Sequence, residues 1–230
     1  LPYDICPDVA APAFPGHHPD ANFDGLGDAC DPSSDPQARV DASWETRPDG
    51  DGPGARPGAS AAYDEARGVT VLFGGSDDTA TWEYDGTAWS RAETRPAPSA
   101  RSGHRLVYDG AHGRILLFGG VTHEGVRPND LWQYAGGTWS RIETGISPPP
   151  SGQYPGIAAD FALAYDAARR ILVLFHATGQ TWVFDGASWR NVPSPRSPLP
   201  RAGMQMAYDP FRQVTVLEGL PTFLGAVDQQ

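Results

Sequence analysis

Acidic side chains in one short segment have the spacing of calcium ligands. From position 20 the chain reads Asp-Ala-Asn-Phe-Asp-Gly-Leu-Gly-Asp-Ala-Cys-Asp. Oxygen-bearing side chains occupy the first, third, fifth, ninth and twelfth places of this stretch: Asp20, Asn22, Asp24, Asp28 and Asp31. Gly25 stands where such a loop turns sharply, and Leu26 offers its carbonyl oxygen. The pattern predicts a Ca2+ site, with a merely acidic turn as the alternative.

The surroundings of this loop contain prolines rather than helical segments. Pro19 precedes the loop and Pro32 follows it, so no helix frames it. Residues 4–31 instead resemble a thrombospondin type 3 repeat, on the opening Asp4-Ile5-Cys6-Pro7 and the ending Asp28-Ala29-Cys30-Asp31. The resemblance implies a calcium-wrapped, disulfide-stapled extracellular spacer with little hydrophobic core.

Cys6 and Cys30 are the only cysteines of the chain. Two buried thiols are one interpretation, although neither residue lies in an apolar run. The disulfide that the resemblance implies would close a loop of about 25 residues and stabilise it by roughly 3–4 kcal/mol. It would require an oxidising compartment, which predicts an extracellular or cell-surface location. Zinc ligation together with His17 and His18 is disfavoured, because the spacing is not that of a zinc finger.

Charge and hydropathy exclude two classes of partner. The formal net charge is −11 over 230 residues, and residues 1–41 alone hold eight Asp against one Arg. Nucleic acid binding needs a basic surface, so the balance argues against it. No stretch approaches the roughly 18 consecutive apolar residues of a membrane-spanning helix. The expected partner is a protein or a glycan.

The rest of the chain repeats one unit, which must build whatever scaffold carries a binding surface. Tyr-Asp pairs begin at Tyr63, Tyr108, Tyr165 and Tyr208, and a short apolar run follows each. After the first three runs come tryptophans seven residues apart, namely Trp82/Trp89, Trp132/Trp139 and Trp182/Trp189, while Trp44 stands alone. A period of roughly 45–50 residues is typical of arrays and propellers.

Each unit is predicted to contain four antiparallel strands. The β-branched apolar runs are typical of buried strands. Tyr-Asp ends the preceding strand, and the Asp is expected to bond the backbone two residues further on. The pairs Gly74-Gly75 and Gly119-Gly120 predict a bulge or positive φ, and Asp85-Gly86 predicts a tight turn before the last strand. Four such strands form a propeller blade.

The second unit resembles a kelch repeat of the bacterial type. Its matching residues are Arg101-Ser102-Gly103-His104 on the first strand, Gly119-Gly120 after the second, Asn129-Asp130-Leu131-Trp132 on the third, and Trp139 on the fourth. The resemblance covers roughly residues 40–220. It implies an all-β, kelch-type β-propeller over residues 37–230, preceded by the calcium-binding segment over residues 1–36.

About four blades are visible in the pattern. Trp44 predicts the last strand of one blade, and Thr222 to Val227 a third strand after the fourth Tyr-Asp pair. Kelch propellers usually have six or seven blades, so a fragment is the favoured interpretation over a small closed ring. An open propeller would expose strand edges and favour self-association.

The function predicted from these features is that of a secreted or cell-surface, calcium-stabilised binding or adhesion module. The tryptophans are expected to pack between blades, because they recur at one place in each unit. The Gly145 to Asp160 insertion is a candidate recognition loop, with a stiff connector as the equal alternative. No catalytic residues are predicted, since the six histidines form no constellation with a carboxylate and a nucleophile. The alternative is an extracellular polysaccharide hydrolase or lyase with its site in the central pocket.

Overall fold

The computed structural model describes residues 52–75, 77–150, 161–195, 197–198 and 201–221. Several predicted features lie outside these residues: the calcium loop, Cys6, Cys30, Trp44, and the strand over Thr222 to Val227. Residues 151–160 of the insertion lie outside them too. The domain boundary between residues 36 and 37 therefore stays a prediction.

The described residues form fourteen strands and no helix. The first sheet contains β1 (Ser60–Asp64), β2 (Val69–Phe73), β3 (Thr81–Tyr84) and β4 (Trp89–Ala92). The second contains β5 (Arg105–Asp109), β6 (Arg114–Phe118), β7 (Leu131–Ala135) and β8 (Thr138–Ile142). The third contains β9 (Phe161–Asp166), β10 (Ile171–His176), β11 (Thr181–Phe184) and β12 (Trp189–Asn191). The fourth pairs β13 (Arg201–Asp209) with β14 (Val214–Pro221).

Each four-stranded sheet is an antiparallel meander in chain order, and the first strands of successive sheets are neighbours. Thus β1 lies beside β5, β5 beside β9, and β9 beside β13. Meanders placed side by side through their first strands are propeller blades. The predicted all-β class with blade-like sheets is confirmed. No helix of the described ranges is long and apolar enough to cross a membrane.

The turn after each Tyr-Asp pair has the same length in all four sheets. Four residues separate the paired ends of the strands, as between Asp64 and Val69. In three of the turns the Asp carboxylate accepts a hydrogen bond from the backbone N–H three residues on, at 3.2 Å for Asp64 and 2.9 Å for both Asp166 and Asp209, whereas the His112 N–H donates to the Asp109 backbone carbonyl. The prediction of a bond two residues on was therefore wrong by one residue. The longer reach lets the carboxylate cap a four-residue turn.

The core lies between the sheets. Side chains along the second strand of a sheet point alternately into the interfaces on its two sides. Val71 and Phe73 pack against Ile115, Leu117 and Trp139 between the first and second sheets. The intervening residues of β6 face the other way, towards the third sheet. This explains why Ile115 to Phe118 of β6 are all apolar: both faces of the second sheet are buried.

The second tryptophan of a unit packs on the phenylalanine of the preceding sheet. The rings of Trp139 and Phe73 lie 5.4 Å apart and those of Trp189 and Phe118 5.5 Å apart, both edge to face. Both tryptophans are almost fully buried. The prediction of packing between blades is confirmed at these two positions.

The diglycines make room for the next sheet. Gly119 has a φ of 70°, and a Cβ there would lie 2.8 Å from the ring of Phe161. Gly74 has a φ of 74°, and its Cβ would lie 2.5 Å from His104 Cε1. The predicted positive φ is confirmed, and its purpose is close approach between sheets.

The kelch-like residues before the first strand lie in a loop. Arg101 to His104 precede β5, and Gly103 has a φ of 67°. Ser102 forms an isolated antiparallel bridge with Val121. The prediction that placed Arg101 to His104 on the strand was therefore wrong, because a left-handed residue interrupts the extended backbone there.

Candidate ligand-binding cleft

Loops of the first two sheets meet at one end of their strands and enclose a cleft. The contributing connections are β2–β3, β4–β5 and β6–β7, and the cleft volume is about 160 Å³. Gly75, Val121 and Thr122 line its sides. Connections of this kind tolerate sequence change while the strands hold them in place, which suits recognition.

The rim of the cleft carries an exposed acid and an exposed imidazole. His123 Nδ1 and Asp77 Oδ1 lie 3.5 Å apart, and their side chains are 79% and 82% exposed. The pair joins the β2–β3 loop of one sheet to the β6–β7 loop of the next. Such exposed pairs add little stability, so both side chains are free to exchange their contact for a ligand.

The floor is a buried arginine. Arg101 donates to both carboxylate oxygens of Asp130, at 2.6 and 3.1 Å, and to the carbonyl of Gly119 at 3.1 Å. It also donates to the backbone carbonyl and the hydroxyl of Ser99. The Arg101 side chain is 1% exposed and that of Asp130 17%. These contacts fix the β4–β5 loop onto the β6–β7 loop.

The carboxyl of Asp130 stays ionised because of this arginine. Burial alone would raise the pKa of Asp130, but the hydrogen bonds and charge of Arg101 hold it below its ordinary value. The indole N–H of Trp132 adds a further hydrogen bond at 2.7 Å. The floor is therefore a closed ion pair with a fixed geometry.

The first sheet holds a second pair of the same construction. Arg56 lies 45 residues before Arg101 and donates to both oxygens of Asp78 at 3.1 Å. Its guanidinium also lies 5.8 Å from the ring centre of Trp82. The Asp78 side chain is 45% exposed, so this ion pair is more accessible to solvent than the Arg101–Asp130 pair at the floor of the cleft.

His104, at the end of the β4–β5 loop, is fully buried against Phe73, with ring centres 5.6 Å apart. Burial lowers the pKa of His104 to about 3, helped by the positive charges of Arg101 and Arg105. The imidazole is neutral throughout the physiological range. It packs as a ring and does not serve as an acid or base at neutral pH.

The residues that were predicted as calcium ligands, Asp20 to Asp31, lie outside the described ranges, so the calcium site stays a prediction. Within those ranges, no three His, Cys, Asp or Glu side chains are placed to hold a metal ion. Of the predicted recognition loop, the described start packs on the same end of the sheets: Asn129 Nδ2 donates to the carbonyl of Pro148 at 3.2 Å.

Sequence reasoning missed the cleft itself. Asp77 and His123 belong to different units and share no motif. A signal for the floor was present, because Arg56, Arg101 and Arg201 recur two residues before a glycine in three units. Each of those glycines has a positive φ, in a loop at Gly58 and Gly103 and at the register shift of β13 at Gly203, so the repeat marks a shared backbone conformation at the glycine.

Comparisons with known proteins found similarity to solved structures only. No protein-family model and no curated protein matches the chain. The solved structure of YjhT is similar over 68% of this chain and 57% of its own, at 17% identity and a TM-score of 0.47. The match thus spans less than two thirds of that protein. The assignment of propeller-type blades rests on the sheets themselves.

Proposed function

We propose that this chain is an extracellular binding module that takes a protein or glycan ligand on the end of the sheets where the cleft opens. The observation that carries the proposal is the exposed Asp77–His123 pair above the buried Arg101 floor. A rigid base with exposed donors and acceptors can orient a polar ligand at little conformational cost.

The repeat units are, in this proposal, kelch-type blades. Positive φ at the diglycines and the packing of the second tryptophan on the preceding sheet support it. Because the tryptophans serve this packing, ligand recognition falls to the loop residues. The described start of the Gly145 to Asp160 insertion joins that surface through the contact of Asn129 with Pro148.

Binding is tested on the full chain with a glycan array and with a panel of extracellular matrix proteins. A double variant, Asp77→Ala with His123→Ala, should lose at least ten-fold in affinity for whatever the wild type captures. Glu65→Ala is the matched control, since it removes an exposed charge from the β1–β2 turn at the opposite end of the strands. Equal affinity of the double variant, or turnover of any polysaccharide on the array, would contradict the proposal.

We further propose that Asp20, Asn22, Asp24, Leu26, Asp28 and Asp31 bind one Ca2+ and that Cys6 is bonded to Cys30. Ligand spacing and the resemblance of residues 4–31 support this part. Extracellular calcium modules bind at roughly 10⁻⁴ to 10⁻³ M, so millimolar calcium should raise the melting temperature relative to chelator.

The calcium site has its own control. Asp24→Asn combined with Asp28→Asn should abolish both the thermal shift and the titration heat, while Asp35→Asn, outside the loop, should keep them. If calcium addition to the wild-type protein gives neither a titration heat nor a shift of the melting temperature, the proposed calcium site is wrong. Cleft binding would be unaffected by that result, so the two parts fail separately.

A further inference from the structure

One hydrogen bond recurs at every contact between successive sheets. The hydroxyl of the tyrosine in the Tyr-Asp pair accepts from a backbone N–H in the first turn of the preceding sheet. The three instances are Ala66 to Tyr108 at 3.1 Å, Ala111 to Tyr165 at 3.2 Å, and Ala168 to Tyr208 at 3.3 Å. Each sheet therefore presents an acceptor to the sheet before it and a donor to the sheet after it.

Aromatic pairs recur on the same faces. Tyr134 with Trp139 and Phe184 with Trp189 lie at ring distances of 4.8 and 5.4 Å, tilted by 44° and 45°. Each pair is buried by the second strand of the preceding sheet. Each interface thus joins two different surfaces. One sheet contributes its turn N–H and its second strand, and the next sheet contributes the tyrosine hydroxyl and the aromatic pair.

The first sheet has the surface with the tyrosine and the aromatic pair, but no described sheet packs on it. We define the leading face by Tyr63, Tyr84 and Trp89. The rings of Tyr84 and Trp89 lie 5.2 Å apart, tilted by 38°, close to the two internal pairs. Tyr63, whose counterparts Tyr108 and Tyr165 bond to the sheet before them, is 55% exposed.

The fourth sheet carries the other half. We define the trailing face by Phe211, Val214 and Val216. Phe211 occupies the turn position of Ala66 and is 90% exposed, and Val216 is 52% exposed. The counterparts of Val216 in β2 and β6 are Val71 and Leu116, which are fully buried. This face, a closed interface elsewhere in the chain, is open here, with the exposed Glu218 in the place of Phe73 and Phe118.

We propose that the trailing face of one molecule binds the leading face of a second copy of this chain, head to tail. The second copy supplies the tyrosine hydroxyl for the Phe211 N–H and the aromatic pair for the valines. Tyr63 and the three residues of the trailing face are exposed, while Tyr84 and Trp89 are half-buried, so the two faces do not cover each other within the described part of one chain. Pairing unlike faces is heterologous and leads to rings or open arrays.

The test uses the full chain and measures molar mass by light scattering after gel filtration. Wild type at high micromolar concentration should exceed the 24.6 kDa of one chain, and the mass should fall on dilution. Val216→Glu places a charge on the trailing face, and Tyr63→Glu does so on the leading face. Each side chain is exposed, so both variants should fold, and each alone should run as a single chain.

Mixing the two variants separates specific pairing from general adhesion. The intact leading face of Val216→Glu can meet the intact trailing face of Tyr63→Glu, so the mixture should form a species of two chains and none larger. Association of either variant alone, or no association in the mixture, would overturn the proposal. A wild-type molar mass of one chain at all concentrations would also overturn the proposal, since it would mean that other residues of the same molecule cover these faces.

Discussion

The two equivalent Arg–Asp pairs allow one substitution to be compared at two degrees of burial. Asp130→Ala removes the counter-ion of Arg101, whose side chain is 1% exposed. Asp78→Ala removes the counter-ion of Arg56, but the carboxylate that is lost is 45% exposed. Each change removes a carboxylate that accepts two hydrogen bonds from a buried arginine and one from a nearby N–H, the Trp132 indole or the Ala80 amide. The main difference is the exposure of the lost carboxylate, 17% for Asp130 and 45% for Asp78.

The expected losses follow from what each arginine retains. After Asp130→Ala, Arg101 keeps the Ser99 and Gly119 oxygens but has no anion, and the Trp132 indole loses its acceptor. An uncompensated buried charge costs about 3–5 kcal/mol. After Asp78→Ala, water can reach the place of the exposed carboxylate, and the cost should stay near 1 kcal/mol.

Urea unfolding followed by tryptophan fluorescence measures both variants, with an unchanged dependence on denaturant as the condition for comparison. The loss for Asp130→Ala should also shrink in acid. The lowered pKa of Asp130 means that its contribution is fully present above about pH 3.9 and is lost as pH falls through the folded-state pKa. Equal losses for the two variants, or a loss below about 1 kcal/mol for Asp130→Ala, would refute the reasoning.

Three further changes probe the contacts between sheets. Gly119→Ala should cost about 2–4 kcal/mol by urea unfolding, since it combines a positive φ with a clash against the Phe161 ring, whereas Gly136→Ala, in open space, should cost about 1 kcal/mol. Tyr165→Phe should cost about 0.5–1.5 kcal/mol and speed hydrogen exchange at the amide it bonds; unchanged exchange would contradict the contact. His104 has a pKa of about 3 in the folded protein and of about 6.5 in the unfolded chain, which therefore binds a proton first as the pH falls. Between pH 6.5 and pH 3, His104 lowers the free energy of unfolding by about 1.4 kcal/mol for each unit that the pH falls. His104→Phe should remove that slope, which a pH series of unfolding curves would detect.

The blades were predictable because their pattern is local and repeated. Tyr-Asp, diglycine and Asp-Gly each specify a backbone conformation within a few residues, and Asp85 indeed accepts from the N–H groups of Thr87 and Ala88. Repetition then gave the strand count per unit without knowledge of any contact.

The cleft was not predictable for the opposite reason. Arg101 and Asp130 of the floor lie in one unit, where the recurring arginine gave a signal, but Asp77 and His123 of the rim belong to different units. Which loop residues meet depends on how two sheets pack, and that packing depends on side-chain volumes at Gly74, Gly119 and their neighbours. No spacing rule within one repeat encodes such a contact.

The recurring tyrosine-to-turn contact bears on how a chain of this kind changes in evolution. Every sheet recognises its successor through the same few groups, so gain or loss of one complete unit leaves the remaining contacts chemically intact. Loss of half a unit would instead leave a sheet without its third and fourth strands, and therefore without the aromatic pair of one interface. The period of the sequence is therefore the natural step in which such a protein lengthens or shortens, while its loops diversify independently.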